Sequence, residues 1–152
     1  MKKRLVLALV TLFVVAGAVG VLGLPNADAQ EHRLVRILGG LSTGAAELKQ
    51  PITLDPPSLS VPKGTVVTWL NWSRNTECVQ ISFEDGKRCE DGTDAPSGFS
   101  MRSDGCYVTS WISFGGTSSL LFTEPGTFNY VVEAKTGGEV RKETGQIVVT
   151  AK

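Results

Sequence analysis

From Ile52 onward, short β-prone runs are cut by Pro, Gly and Asp about every ten residues, and no helical periodicity outlasts roughly two turns. A chain punctuated this way has no long helix face to bury. It can bury one face of each of several strands, the pattern of an all-β sandwich. The runs are Ile52 to Leu54 continuing through Ser58 to Val61, Val66 to Asn71, Cys78 to Phe83, Thr117 to Phe122, Thr127 to Ala134, and Gln146 to Thr150. In the third, Val79, Ile81 and Phe83 share one side and Cys78, Gln80 and Ser82 the other, because side chains alternate along a strand. The apolar set is expected to face the core. The same parity carries Glu77 to the core side at the strand's beginning, a place for a carboxylate only at an open end of the sandwich. Pro62-Lys63-Gly64 and Pro125-Gly126 have the chemistry of tight corners, and Gly137-Gly138 suits a hairpin tip.

Three segments fall outside this rhythm. Residues 1–29 open with Lys2, Lys3 and Arg4, continue through the uncharged, mostly apolar Leu5 to Leu24, and end in Ala27-Asp28-Ala29, the small-x-small pattern of a signal-peptidase site. Cleavage is expected after Ala29. The apolar stretch is also about long enough to cross a bilayer, so an uncleaved anchor is the other reading; both place the remainder of the chain outside the cytoplasm, periplasmic or secreted. Residues 30–50, with a short apolar run from Leu34 to Leu38 and the small-residue segment Gly39 to Gly44, are expected to be an arm or linker preceding one domain over 51–152. The third segment, Glu84 to Gly105, carries Asp85-Gly86, Asp91-Gly92, Asp104-Gly105 and Pro96, and reads as a long loop with little strand character.

Without residues 1–29 the chain keeps 12 basic against 14 acidic residues, a formal charge of −2. The basic residues are scattered, which is not the dense cationic footprint of a nucleic-acid binder.

Two stretches resemble the cupredoxin family, the fold of plastocyanin- and azurin-like copper proteins, and stand in the family's order. Leu59-Ser60-Val61-Pro62-Lys63-Gly64-Thr65-Val66-Val67-Thr68-Trp69-Leu70-Asn71 is similar to the strand, turn and strand ending in W-x-N that precede the first copper ligand. Phe122-Thr123-Glu124-Pro125-Gly126-Thr127-Phe128-Asn129-Tyr130 is similar to the family's lead into its ligand loop, and Gly145-Gln146-Ile147-Val148-Val149 to its closing strand. The resemblance implies a cupredoxin-like Greek-key β-sandwich. It also implies a blue-copper site of two imidazoles, a thiolate and a weak axial ligand. The matching positions carry other chemistry: Glu77 stands where the first histidine is expected and Val132 where the cysteine is expected. His32 is the only histidine in the chain, so two imidazoles cannot be assembled from it. No metal ligands are assigned, and no cofactor is expected.

Cys78, Cys89 and Cys106 would meet a compartment that favours disulfides. A Cys89–Cys106 bond would bracket the irregular loop and restrict the unfolded chain by roughly 3 kcal/mol on the entropy model. Pairings through Cys78, and a Cu(I) site built from two or three of these thiolates with Met101, are the alternatives. In the first pairing Cys78 is the odd thiol, open to bonding with another chain. The acidic loop residues Glu84, Asp85, Glu90, Asp91, Asp94 and Asp104 match no EF-hand spacing and read as solvated turns. One histidine in an arm offers no footing for a Ser-His-Asp arrangement, and no catalytic residue is assigned.

Trp72, Trp111 and Phe114 are expected to close the core. Exposed together, Trp72 and Trp111 would instead form a candidate recognition surface. Asn71-Trp72-Ser73 also fits a glycosylation acceptor. The reading is therefore a non-enzymatic binding or accessory module with an unknown protein or envelope partner, its specificity expected in the Cys89 to Cys106 loop together with the strand end bearing Trp72 and Glu77, and membrane contact only through a retained apolar segment. A copper-binding or electron-transfer protein using Cys and Met ligands is the competing class.

Overall fold

Val79, Ile81 and Phe83 face the core, as strand alternation led us to expect, in the computed structural model, which describes residues 30–39, 52–74, 76 and 78–151. Among the described residues eleven strands form two sheets. The five-stranded sheet has the order β2 (Thr53–Asp55), β1 (His32–Gly39), β4 (Thr65–Ser73), β9 (Thr117–Phe122) and β6 (Thr93–Ser97). The six-stranded sheet runs β3 (Ser58–Pro62), β11 (Glu139–Thr150), β10 (Gly126–Thr136), β5 (Cys78–Gly86), β8 (Tyr107–Thr109) and β7 (Phe99–Met101). Two pairings are parallel, β1 with β4 and β3 with β11, and the others are antiparallel. The expected all-β Greek-key sandwich is what forms.

Each sheet turns its large side chains inward. Val67 and Trp69 of β4, Leu120 and Phe122 of β9, and Val35 and Ile37 of β1 meet Ile81 and Phe83 of β5, Phe128, Tyr130 and Val132 of β10, and Ile147 of β11. Trp69 sits at the centre, edge-on to Phe83 at 5.7 Å, Phe99 at 5.6 Å and Tyr130 at 5.4 Å between ring centroids. Edge-to-face pairs of this kind add about 0.5–1.5 kcal/mol each beyond the area they bury. The first corner behaves as expected: Gly64 has φ +87° and Thr65 donates its hydroxyl to Pro62 O at 2.7 Å, closing the turn between β3 and β4, whereas Gly126 has φ +159°, begins β10 and does not take the angle of a type II turn.

Four expectations are corrected. The stretch expected as an arm contains β1, which pairs along its whole length with β4 and so belongs to the sandwich; residues 40–50 lie outside the described residues. Only Val35 and Ile37 of β1 are fully buried, too short an alternation to announce a strand whose partner lies some thirty residues on. The run from Ile52 to Val61 is two strands in different sheets, switching at Asp55-Pro56-Pro57, where the Asp55–Pro56 peptide is cis. The loop from Glu84 to Gly105 contains a 3-10 turn (Cys89–Asp91), β6 and β7. Both of its strands lie at sheet edges, where one side of the backbone needs no partner and Pro96 is tolerated, so they carry no apolar alternation. The fourth concerns Trp111 and Phe114, expected to close the core: they lie after β8, in a loop over 110–116 that caps one end of the sandwich.

Candidate functional site

One end of the sandwich, the upper end, gathers the C-terminal ends of β1, β4 and β10 and the start of β5. Asn71 organises it. Its side chain is fully buried, donates Nδ2–H to Ile112 O at 2.9 Å and accepts the Ser73 backbone N–H on Oδ1 at 3.0 Å. Its backbone holds the same loop, donating N–H to Gly116 O at 3.0 Å and accepting from Gly115 N–H at 2.8 Å. From the other sheet, Val79 and Ile112 exchange two backbone bonds of 2.9 and 2.6 Å. The loop over 110–116 is thus clamped between β4 and β5. An amide so engaged is not presented to a glycosylating enzyme, which answers the Asn71-Trp72-Ser73 pattern.

Below that loop the filling is apolar. Val132 is fully buried, paired in register with Ile81, and followed on the same face by Ala134 opposite Val79. Glu77, the other vacated ligand position, lies outside the described residues. His32 begins β1 at the opposite, lower end, roughly 25 Å away along the strand. Copper of the blue type needs nitrogen and sulfur donors converging here; the inward positions of β10 offer methyl groups, and the chain's one imidazole is a strand's length away. These residues do not fit a type 1 copper ion.

The W-x-N strand and the strand that follows Pro125-Gly126 therefore lie in opposite sheets, with their ends brought together under one clamped loop, and β3 and β11 close the second sheet in parallel. This is the arrangement that the resemblance to cupredoxins implies. Solved structures similar to this cupredoxin-like chain include a purple cupredoxin from Nitrosopumilus maritimus, 17% identical, covering 77% of this chain and 98% of that one with a TM-score of 0.45. A Cu(I) form of an amicyanin variant is 20% identical over 80% of this chain and 85% of that one, TM-score 0.42. An oxidised amicyanin variant is 24% identical over 62% and 70%, TM-score 0.40. No family model and no curated protein matches the chain.

The surface of this cupredoxin-like end is aromatic. Trp72, Phe114 and Trp111 are 44%, 45% and 36% exposed, so they do not close the core as the sequence suggested. Trp72 packs on Phe114 at 4.9 Å between centroids, and Trp111 lies under the Lys135 ammonium, 3.9 Å from its ring centre. An exposed cation–π contact of this kind contributes about 0.5–1 kcal/mol. Two residues escaped the sequence reading. Phe114 was assigned to the core although Gly115-Gly116 after it already marked a turn, where an apolar ring has no sheet to hide behind. Lys135, outward on β10, had no signal in the sequence.

The cysteines divide between the two ends. Cys78, half-buried, starts β5 at the upper end opposite Lys135, while Cys89 and Cys106 are buried at the lower end. Cys106 Sγ lies 3.7 Å from Glu84 O, so along β5 Cys78 is roughly 20 Å from that pair. A metal site drawing on all three sulfurs is therefore excluded by geometry. Met101, in register with Tyr107, is exposed at the lower end. Nearby, Arg102 donates to Phe83 O at 2.9 Å and forms an ion pair with Asp104 at 3.0 Å. The Cys106 backbone N–H, donating at 3.0 Å, together with Arg102 holds the Asp104 carboxyl below the usual carboxylate range. Among the described residues no three His, Cys, Asp or Glu side chains gather as a metal ion would require.

Proposed function

We propose that the chain is an exported cupredoxin-like binding or accessory module that acts without a type 1 copper centre, through contacts made at its upper end. Val132 carries this reading. Its fully buried isopropyl group stands at the strand position where the family's thiolate is expected, with Ile81, Val79 and Ala134 around it. Filling that end with aliphatic side chains removes the donors a redox ion needs and stabilises the scaffold, by about 1.5–3 kcal/mol for each fully buried Val or Ile. Trp72, Phe114 and Trp111 suit recognition: large rings offer contact area at low cost in conformational entropy.

The partner in this reading is a protein or another envelope component. With residues 1–29 removed after Ala29, the mature chain begins at Gln30. With the apolar segment retained, the chain enters the fold at His32, the lower end, and the aromatic end points away from the bilayer. No reaction is assigned to it. Copper handling, the competing reading, would have to use Cys89, Cys106 and Met101, away from the aromatic rings.

A photo-reactive phenylalanine analogue at position 114, in the exporting host, tests the proposal. One discrete adduct is expected, lost when Trp72 is changed to Ala and missing when the analogue is placed at the exposed Ser60 of β3. The same adducts from both positions would count against recognition at the upper end.

A further inference from the structure

At the lower end the backbone brings Cys89 and Cys106 near each other. Glu90 N–H donates to Gly105 O at 3.2 Å, and Arg102 N–H to Cys106 O at 2.8 Å. The first of these bonds sets the 3-10 turn that begins at Cys89 beside the segment that runs into Cys106. Both side chains turn inward, Cys89 with no exposure and Cys106 with 7%, and each sulfur lies within electrostatic reach of the other.

The flank around them is thinly held. β6, the edge of one sheet, pairs with β9 across a register shift between Asp94 and Ser97, and Ala95 within it has φ +47°. β7, the edge of the other sheet, pairs only with β8, which meets β5 in register at Ser82 and Val108. The 3-10 turn with Cys89 feeds β6, and Cys106 immediately precedes β8. A covalent link between the two residues would tie both edge strands to the sandwich at one point.

We propose that Cys89 and Cys106 form an intrachain disulfide that braces β6 and β7, leaving Cys78 as a free thiol at the aromatic end. The oxidant is an external disulfide, of a small molecule or of a thiol–disulfide oxidoreductase. Cys106, the more exposed sulfur and the one beside the Arg102 guanidinium, attacks as thiolate one sulfur of that disulfide and expels the other as a thiolate. Cys89, its proton released, then attacks the Cys106 sulfur of the mixed disulfide and expels the second thiolate. Two protein thiols are oxidised, one external disulfide is reduced to two thiols, and the two cysteine protons end on the leaving sulfurs. Burial pushes the Cys89 thiol up to about 11, and a disulfide, being uncharged, meets no such opposition once formed.

The inference is independent of whether the upper end binds a partner. Reduced full-length protein is incubated with oxidised glutathione, denatured, alkylated and mapped by mass spectrometry. The expected result is an alkylated Cys78 and a peptide pair linked through Cys89 and Cys106. Three alkylated cysteines, or a link through Cys78, would overturn the pairing. Hydrogen exchange on the same chain in both redox states tests the bracing without introducing a buried serine. Amides of β6 and β7 are expected to exchange at least tenfold faster after reduction while those of β4 and β10 keep their protection; equal rates in β6 and β7 would overturn it.

Discussion

Both ends of the Asn71 amide are engaged inside the protein, so truncating it takes the Asn71 acceptor from the buried Ser73 N–H, while Ile112 O keeps only its bond from Val79 N–H. Asn71→Ala is expected to lower stability by about 1–3 kcal/mol, the cost of one orphaned buried group. Urea unfolding measures this, and a change under about 0.5 kcal/mol would mean that the clamp holds nothing. Tyr130 is the opposite case. Its ring lies over Gly145, where a Cβ would come within 2.2 Å of it, and its buried hydroxyl faces Trp69 Nε1 without a well-formed hydrogen bond. Tyr130→Phe should be neutral or stabilising by up to about 1 kcal/mol, against the usual loss for a bonded tyrosine. Burial pushes the Tyr130 phenol up to about 12 from its ordinary 10. The folded chain therefore holds a proton that the unfolded chain releases. Its contribution is complete below pH ~10 and is lost as the pH rises to ~12, a change on the order of 2 kcal/mol that the Phe variant should not show. Stability measured across that window, with the same slope in both proteins, would contradict the assignment.

Among the elements, β4, β5, β9, β10 and β11 were legible because each turns a run of bulky apolar side chains inward. β1, β6, β7 and β8 were not: β1 is recognised by its parallel partner and not by its own pattern, and the other three are short, two of them at sheet edges. The tip of the β10–β11 hairpin was legible, but the polar first part of β11, before Gln146, was not read as strand. Gly137 and Gly138 have φ +55° and +83°, the paired positive angles of a tight two-residue turn between Thr136 and Glu139. Gly137→Asn, which tolerates that angle, is expected to change stability by less than about 1 kcal/mol in either direction. Gly138→Val should cost about 1–2 kcal/mol, because a β-branched residue resists positive φ. Thermal unfolding of the two variants compares them, and equal losses would show that the tip does not adopt this turn.

Across the whole molecule, chemistry is distributed between the two ends. The upper end has the Asn71 clamp, an apolar filling and exposed rings; the lower end has His32, the two buried cysteines and the Arg102–Asp104 pair. The Trp69-Leu70-Asn71 motif and the valine at position 132 made the framework and its missing thiolate readable through the resemblance to cupredoxins. The aromatic surface was only half readable, since Trp72 turns outward by strand parity but the direction of Phe114 depends on a loop that a distant asparagine holds in place. Copper(II) added to the full chain as purified, with visible absorbance recorded and retained metal counted after desalting, tests the central claim. The account predicts no intense thiolate-to-copper band and no stoichiometric metal. A strongly blue or purple protein that keeps a stoichiometric copper would contradict it.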